Sequence, residues 1–194
     1  SHNWNQRNEF KIFTCDTWPS KMKADEFDSI IFDCDGVLID VTKSYDTTIN
    51  RTISYVVKEI AEIIVDTPLS NELLLKFKST GGFNDEIDIT YAGVLCFIAA
   101  KKLNKDPTKL ILDVINNADD SGITYIENFL GKIDADISDV KVRLGYPSTD
   151  KNDLIHSTFD QLFFGPELYS KIFQKESKFS EKGFIENDKV IVNS

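Results

Sequence analysis

Apolar positions along this chain follow two different periods, and the change comes near residue 40. Residues 29–33 read Ser-Ile-Ile-Phe-Asp, a short β-branched apolar run that an acid ends. That is the pattern of a strand buried on both faces in a parallel sheet. The terminal acid then falls at a carboxyl end of the sheet, where open α/β sheets bind their ligands. Beyond Asp40 the period becomes helical. Tyr45, Ile49, Ile53, Val56, Val57, Ile60, Ile63 and Ile64 recur at three- and four-residue spacing, which predicts a helix of about six turns ending near Asp66-Thr67-Pro68.

A short helix is predicted over residues 70–78, then Gly81-Gly82 breaks the chain. Ile87, Tyr91, Val94, Leu95 and Ile98 define a second long helix. Its other faces carry Ala92, Cys96, Phe97, Ala99 and Ala100, so it is predicted to lie at the centre of a bundle. Asp106-Pro107 is a helix start, with an acid at the cap and proline in the first turn. Asp119-Asp120-Ser121-Gly122 reads as a turn. Further helices are predicted over 123–132, 151–163 and 166–174, the second stopped by Gly165-Pro166, and residues 189–192, Lys-Val-Ile-Val, read as one late strand. There is no internal repeat. One parallel strand cannot satisfy its own hydrogen bonds or cover two apolar faces, so the pattern implies partner strands that the chain barely contains.

Composition narrows the class. The 194 residues are 41% hydrophobic and 28% charged, which is the balance of a soluble globular protein. No apolar run is long enough to span a bilayer, and the polar first ten residues lack the pattern of a secretory signal, so no membrane association and a cytoplasmic location are expected. Cys15, Cys34 and Cys96 are widely spaced and odd in number, which points to free thiols rather than to a disulfide framework or a zinc site. A formal charge of −10 without any cluster of Lys and Arg argues against nucleic acid as a partner. An acidic protein still acts on phosphate esters when a divalent cation supplies the positive charge.

The candidate chemistry lies at Asp33-Cys34-Asp35-Gly36-Val37-Leu38. Asp33, last in the predicted strand, presents a carboxylate beyond the sheet, where attack on phosphorus gives an aspartyl phosphate. Asp35, two residues on, is placed to protonate the leaving oxygen and then to deprotonate a water. Gly36 permits the backbone conformation that such a turn requires. Two carboxylates beside an anionic ester repel one another. Magnesium, which prefers carboxylate and phosphate oxygens, is therefore the expected cofactor, with Asp33 and Asp35 as its candidate ligands.

These residues match the first motif of the haloacid dehalogenase-like superfamily, an apolar strand followed by Asp-x-Asp-Gly-x-Leu or Val, and the chain resembles that family at every position of the motif. The resemblance implies an α/β fold, a Rossmannoid core largely missing from this chain, with a mainly α-helical cap domain of the kind found in the first subfamily. It implies that the metal takes the carboxylate of Asp33 and the backbone carbonyl of Asp35. An acid at position 35 is what phosphatases and sugar-phosphate mutases of the family carry, whereas the transport ATPases have Lys-Thr. The expected division is an N-terminal arm over 1–27, the first core strand and catalytic loop over 28–42, the cap over 43–180, and a return toward the core over 181–194.

The expected activity is magnesium-dependent hydrolysis of a small phosphorylated metabolite, with a phosphosugar mutase and a non-catalytic binding module as alternatives. Gly81-Gly82-Phe83-Asn84-Asp85 resembles a loop in one branch of the subfamily, as does Phe164-Gly165-Pro166-Glu167-Leu168-Tyr169, and Gly36, Gly81, Gly82, Phe83 and Asn84 are candidates for substrate contact. A glycine pair between helices equally marks a simple break. His156 reads as a structural histidine on an amphipathic helix, and Asp119-Asp120 as loop rather than metal ligands. The family's later motifs, a Ser or Thr, a Lys and an acid pair, are not found, so the chain is expected to be an N-terminal portion that is nearly inactive alone. An unpaired sheet edge predicts association with the missing C-terminal core or with a second copy.

Overall fold

The structure, a computed structural model, describes residues 38–83, 85–145 and 153–191. The expected arm and first strand, with Asp33, Asp35, Gly36 and Asn84, lie outside the described residues. The described chain begins with a two-residue strand, β1 (Ile39–Asp40), and passes directly into helix α1 (Thr42–Ala61). Asp40 makes the transition: its Oδ1 accepts the Thr42 N–H at 3.1 Å, satisfying a donor that the first helical turn leaves without an internal partner.

Ile49, Ile53, Val56 and Val57 form the fully buried stripe of α1, as their spacing predicts. The helix stops sooner than the stripe implies. Glu62 turns left-handed at φ 55°, and Ile64 emerges 86% exposed. The end is closed locally, the Glu62 N–H donating to the Lys58 carbonyl at 3.0 Å and the Ile63 N–H to the Val57 carbonyl at 3.2 Å, and tertiary contacts hold it. Lys101 Nζ donates to the Ala61 carbonyl, and the Arg143 guanidinium donates to the Ile60 carbonyl at 3.1 Å, so two cations take up carbonyls at the negative end of the helix.

Helix α2 (Asn71–Ser79) starts at Ser70, whose side chain accepts the Leu73 N–H at 3.3 Å. Helix α3 (Glu86–Lys102), capped by Asp85, is the axis of the bundle: every residue over 89–100 is buried, and α1 packs against it. Helix α4 (Pro107–Asn117) begins at the Asp106 cap, with Lys109 N–H donating at 2.8 Å, and α5 (Ile123–Lys132) follows the expected turn. Helix α6 (Ser138–Leu144) was not anticipated; its seven residues bury only Val140 and Leu144, too few positions to display a period.

The two helices expected over 151–163 and 166–174 are found as the two helical segments of α7 (Leu154–Phe173), which meet at a break where Gly165 adopts the non-helical φ 73°, ψ 170° before Pro166. The chain then returns through a 3₁₀ turn (Phe184–Asn187) to strand β2 (Lys189–Val190). β2 pairs antiparallel with β1, Ile39 opposite Val190 and Asp40 opposite Lys189, and the Ile191 N–H extends the ladder to the Leu38 carbonyl at 2.9 Å. The antiparallel direction distinguishes β2 from a second parallel core strand. Among the described residues the architecture is therefore mainly helical, seven helices and a two-stranded sheet, and the chain enters and leaves the helical body side by side.

The returning segment is held firmly. Buried Gln161 accepts the Lys178 N–H at 2.7 Å and donates its amide to Ser157, while Arg51 pairs with Glu181 at 2.9 Å. At the kink two glycines cross back to back: a Cβ on Gly165 would lie 2.4 Å from the Gly183 nitrogen. A second crossing joins the Gly82 turn to the loop before α5, where a Cβ on Gly122 would lie 2.3 Å from the Gly82 carbonyl oxygen.

Candidate functional site

The catalytic candidates of the motif lie outside the described residues, which take up the chain at Leu38, three positions after Asp35. What the structure places is the segment into which the motif runs. Beside the start of α1, a groove of about 590 Å3 opens between Asp40 and residues 66–71. Every side chain lining it is charged, or bears a hydroxyl or an amide. Two local devices shape it. Asn50 accepts the Leu69 N–H at 2.7 Å and donates to the Leu69 carbonyl at 3.0 Å, pinning the 62–70 connection to α1, and Asp46 is paired with Lys78 at 3.0 Å.

The Gly81–Phe83 part of the candidate substrate loop lies elsewhere, between α2 and α3. Gly81 has φ 79° with open space around its Cα, and Gly82 is at the close crossing with Gly122. Phe83 is 1% exposed and packs edge-on against Phe77, with ring centroids 5.2 Å apart. Packing accounts for Gly82 and Phe83 without a ligand.

The remaining sequence candidates take structural roles. His156 lies in the first turn of α7, its Nδ1 2.6 Å from the Asp153 carboxylate that also caps the helix. Asp119 accepts both the backbone N–H, at 2.9 Å, and the hydroxyl of Ser121, and these bonds hold its carboxyl below the usual range. Sequence reasoning did not anticipate a polar chain in the bundle: the Tyr91 hydroxyl donates to Glu127 at 3.0 Å, and Lys141 pairs with the other Glu127 oxygen at 2.7 Å. Burial and the neighbouring carboxylate push the Tyr91 phenol up. Positions 91, 127 and 141 belong to α3, α5 and α6, so no local spacing connects them.

Cys96 is fully buried, and loss of solvation pushes its thiol up to about 12, which makes it an inert core residue. Among the described residues no group of three or more His, Cys, Asp and Glu side chains is placed to hold a metal ion. Among them, too, no helix is long and apolar enough to cross a membrane.

No family model matches this chain, and no curated protein matches it either. Among solved structures it is similar to phosphatase Tt82 from Thermococcus thioreducens, with a TM-score of 0.52 and 19% identity, covering 82% of this chain and 52% of that one. The chain thus spans about half the length of that protein. At this identity the likeness is one of fold.

Proposed function

We propose that this chain carries the first catalytic motif and the substrate-covering helical cap of a magnesium-dependent phosphatase of the haloacid dehalogenase-like type, acting on a small phosphorylated metabolite. The observation that carries the reading is the motif Asp33-Cys34-Asp35-Gly36-Val37-Leu38 running directly into a helical body whose two ends are paired. A module inserted into another domain has to leave and re-enter at neighbouring points, and the β1–β2 ladder meets that condition. The fold likeness to a protein named as a phosphatase supports it further.

In this reading a carboxylate oxygen of Asp33 attacks phosphorus, the ester P–O bond breaks, and Asp35 gives its proton to the departing alkoxide. Asp35 then takes a proton from a water whose oxygen attacks the acyl phosphate, releasing inorganic phosphate and regenerating the Asp33 carboxylate. The donor set, all oxygen, fits magnesium, with the Asp33 carboxylate and the backbone carbonyl of Asp35 as its ligands; when bound it supplies the charge that lets two carboxylates and a phosphate share one place. The helical body excludes water and selects the non-phosphate part of the substrate. Further core strands, or a second copy, complete the sheet to which the motif strand belongs.

The test is hydrolysis of p-nitrophenyl phosphate, with and without magnesium, by the longest form that the reading frame encodes. Asp33→Asn is expected to lower kcat by at least about a thousandfold. Undiminished turnover in that variant refutes the assignment. No turnover in either protein favours the binding-module reading, and phosphate passed to a sugar phosphate rather than to water favours a mutase.

A further inference from the structure

The groove beside α1 has a composition that narrows its ligand. Small-molecule pockets of this size are ordinarily lined by apolar and aromatic side chains with a few polar groups among them. Here no aliphatic or aromatic residue contributes to the lining. A nucleobase would find no ring to stack on. A second anionic group is disfavoured as well, because the lining holds three carboxylates, Asp40, Asp46 and Asp66, against two cations, Lys43 and Arg51.

Several of these groups are already engaged. Asp46 is held by Lys78, Arg51 by Glu181, and Asn50 by the backbone of Leu69. Among the described residues, the side chains of Lys43, Asp66, Thr67 and Asn71 make no hydrogen bond or ion pair. They offer an ammonium donor, a carboxylate acceptor, a hydroxyl and an amide within one groove, with donors and acceptors mixed. Mixed donors and acceptors match a run of hydroxyl groups, each of which gives one hydrogen bond and accepts others. The backbone behind them is fixed where the Asn50 clamp holds Leu69.

We propose that this groove binds a neutral polyhydroxylated group, the sugar or polyol portion of a phosphorylated substrate, through Lys43, Asp66, Thr67 and Asn71. The assignment deepens the phosphatase reading and rests on it for the identity of the whole substrate, whereas the binding itself does not depend on catalysis. In sequence, the groove begins at Asp40, five positions beyond Asp35.

The experiment has two arms. In the first, the chain of residues 1–194 is titrated with sorbitol, with benzyl alcohol as the apolar control, and followed by 15N NMR. Saturable shifts at the amides of residues 43–51 and 66–71 are expected with sorbitol and not with benzyl alcohol. Lys43→Ala and Asp66→Asn, both at exposed positions, are expected to weaken sorbitol binding by about tenfold each, the loss of one hydrogen bond to a charged group. In the second arm, the same variants in the longest encoded form are expected to raise KM for sorbitol 6-phosphate about tenfold and to leave KM for p-nitrophenyl phosphate unchanged. Shifts confined to other residues, equal response to benzyl alcohol, or undisturbed binding in both variants would overturn the proposal. A failed phosphatase reading shows itself separately, as hydrolysis indifferent to Asp33→Asn, and leaves the first arm standing.

Discussion

Replacing Gly165 with alanine puts two costs on one residue. Its backbone, at φ 73° and ψ 170°, lies in a region that residues with a side chain rarely enter, which costs about 1–3 kcal/mol. The new Cβ would also lie 2.4 Å from the Gly183 nitrogen and 2.9 Å from its Cα. Both atoms are backbone, so relief requires the return segment to move away from α7, and such overpacking costs about 1–3 kcal/mol more. The sum centres near 4 kcal/mol, a large fraction of the stability of an ordinary domain. For a chain of this size it lowers Tm by about 8–16 °C. Gly183→Ala separates the two terms. Position 183 has φ −64°, so alanine meets the crowding alone, 2.4 Å from the Phe164 carbonyl atoms, and about 1–3 kcal/mol is expected. Gly131→Ala is the control: on α5 with nothing within 4 Å, it is expected to stabilise by about 0.5–1 kcal/mol. Thermal and urea unfolding followed by circular dichroism measure all three. Gly165→Ala with an unchanged Tm, or less destabilised than Gly183→Ala, would refute the crossing as the joint between α7 and the return segment.

Three other outcomes follow from the same geometry. Asn50→Ala removes both hydrogen bonds to Leu69, whose backbone lies in a buried position, and is expected to cost about 2 kcal/mol in urea unfolding; a loss under about 0.5 kcal/mol would contradict the clamp. Asp119 has its pKa lowered in the folded chain, so its contribution to stability is present above the ordinary value of 3.8 and is lost as pH falls through the folded value. Ser121→Ala removes the hydroxyl bond and keeps the backbone one, so it is expected to move the Asp119 titration upward in carboxyl 13C NMR, and an unmoved titration would show that the Ser121 hydroxyl is not a cause of the shift. With Cys15 and Cys34 replaced by serine, native protein is expected to give no reaction with a thiol reagent until it unfolds, because the Cys96 thiol is buried and pushed up to about 12; prompt labelling in buffer would contradict that burial.

The helices that the sequence displays are those whose determinants are local. Asp106-Pro107 announces α4 because the cap is made by the Asp106 side chain on a nitrogen three residues on. The central place of α3 is legible because apolar and small residues surround it on all faces. The end of α1 is not legible. Ile63 and Ile64 continue the stripe, yet the chain turns left-handed at Glu62, and the carbonyls left there are held by Lys101 and Arg143, 40 and 83 residues away. Glycines were readable as breaks, yet their use as crossings, Gly82 on Gly122 and Gly165 on Gly183, depends on a partner that no spacing reveals. The same holds for the groove. Lys43 belongs to α1 and Asp66 to the connection that follows it, and only folding of that connection onto Asn50 sets them in one lining. The motif proposed as catalytic is the reverse case. Its chemistry is carried by consecutive residues, so it is read from sequence at once, while the described structure begins at Leu38.

The measurement closest to the heart of the account is rapid acid quenching of the longest encoded protein during turnover of a phosphate ester with magnesium, followed by peptide mass mapping. The account predicts one phosphoryl group on the peptide containing Asp33, absent after Asp33→Asn and, with p-nitrophenyl phosphate, whose leaving group departs without a proton, accumulating when Asp35→Asn slows release. Turnover that proceeds with no phosphorylated peptide, or with the group on a residue other than Asp33, would contradict it.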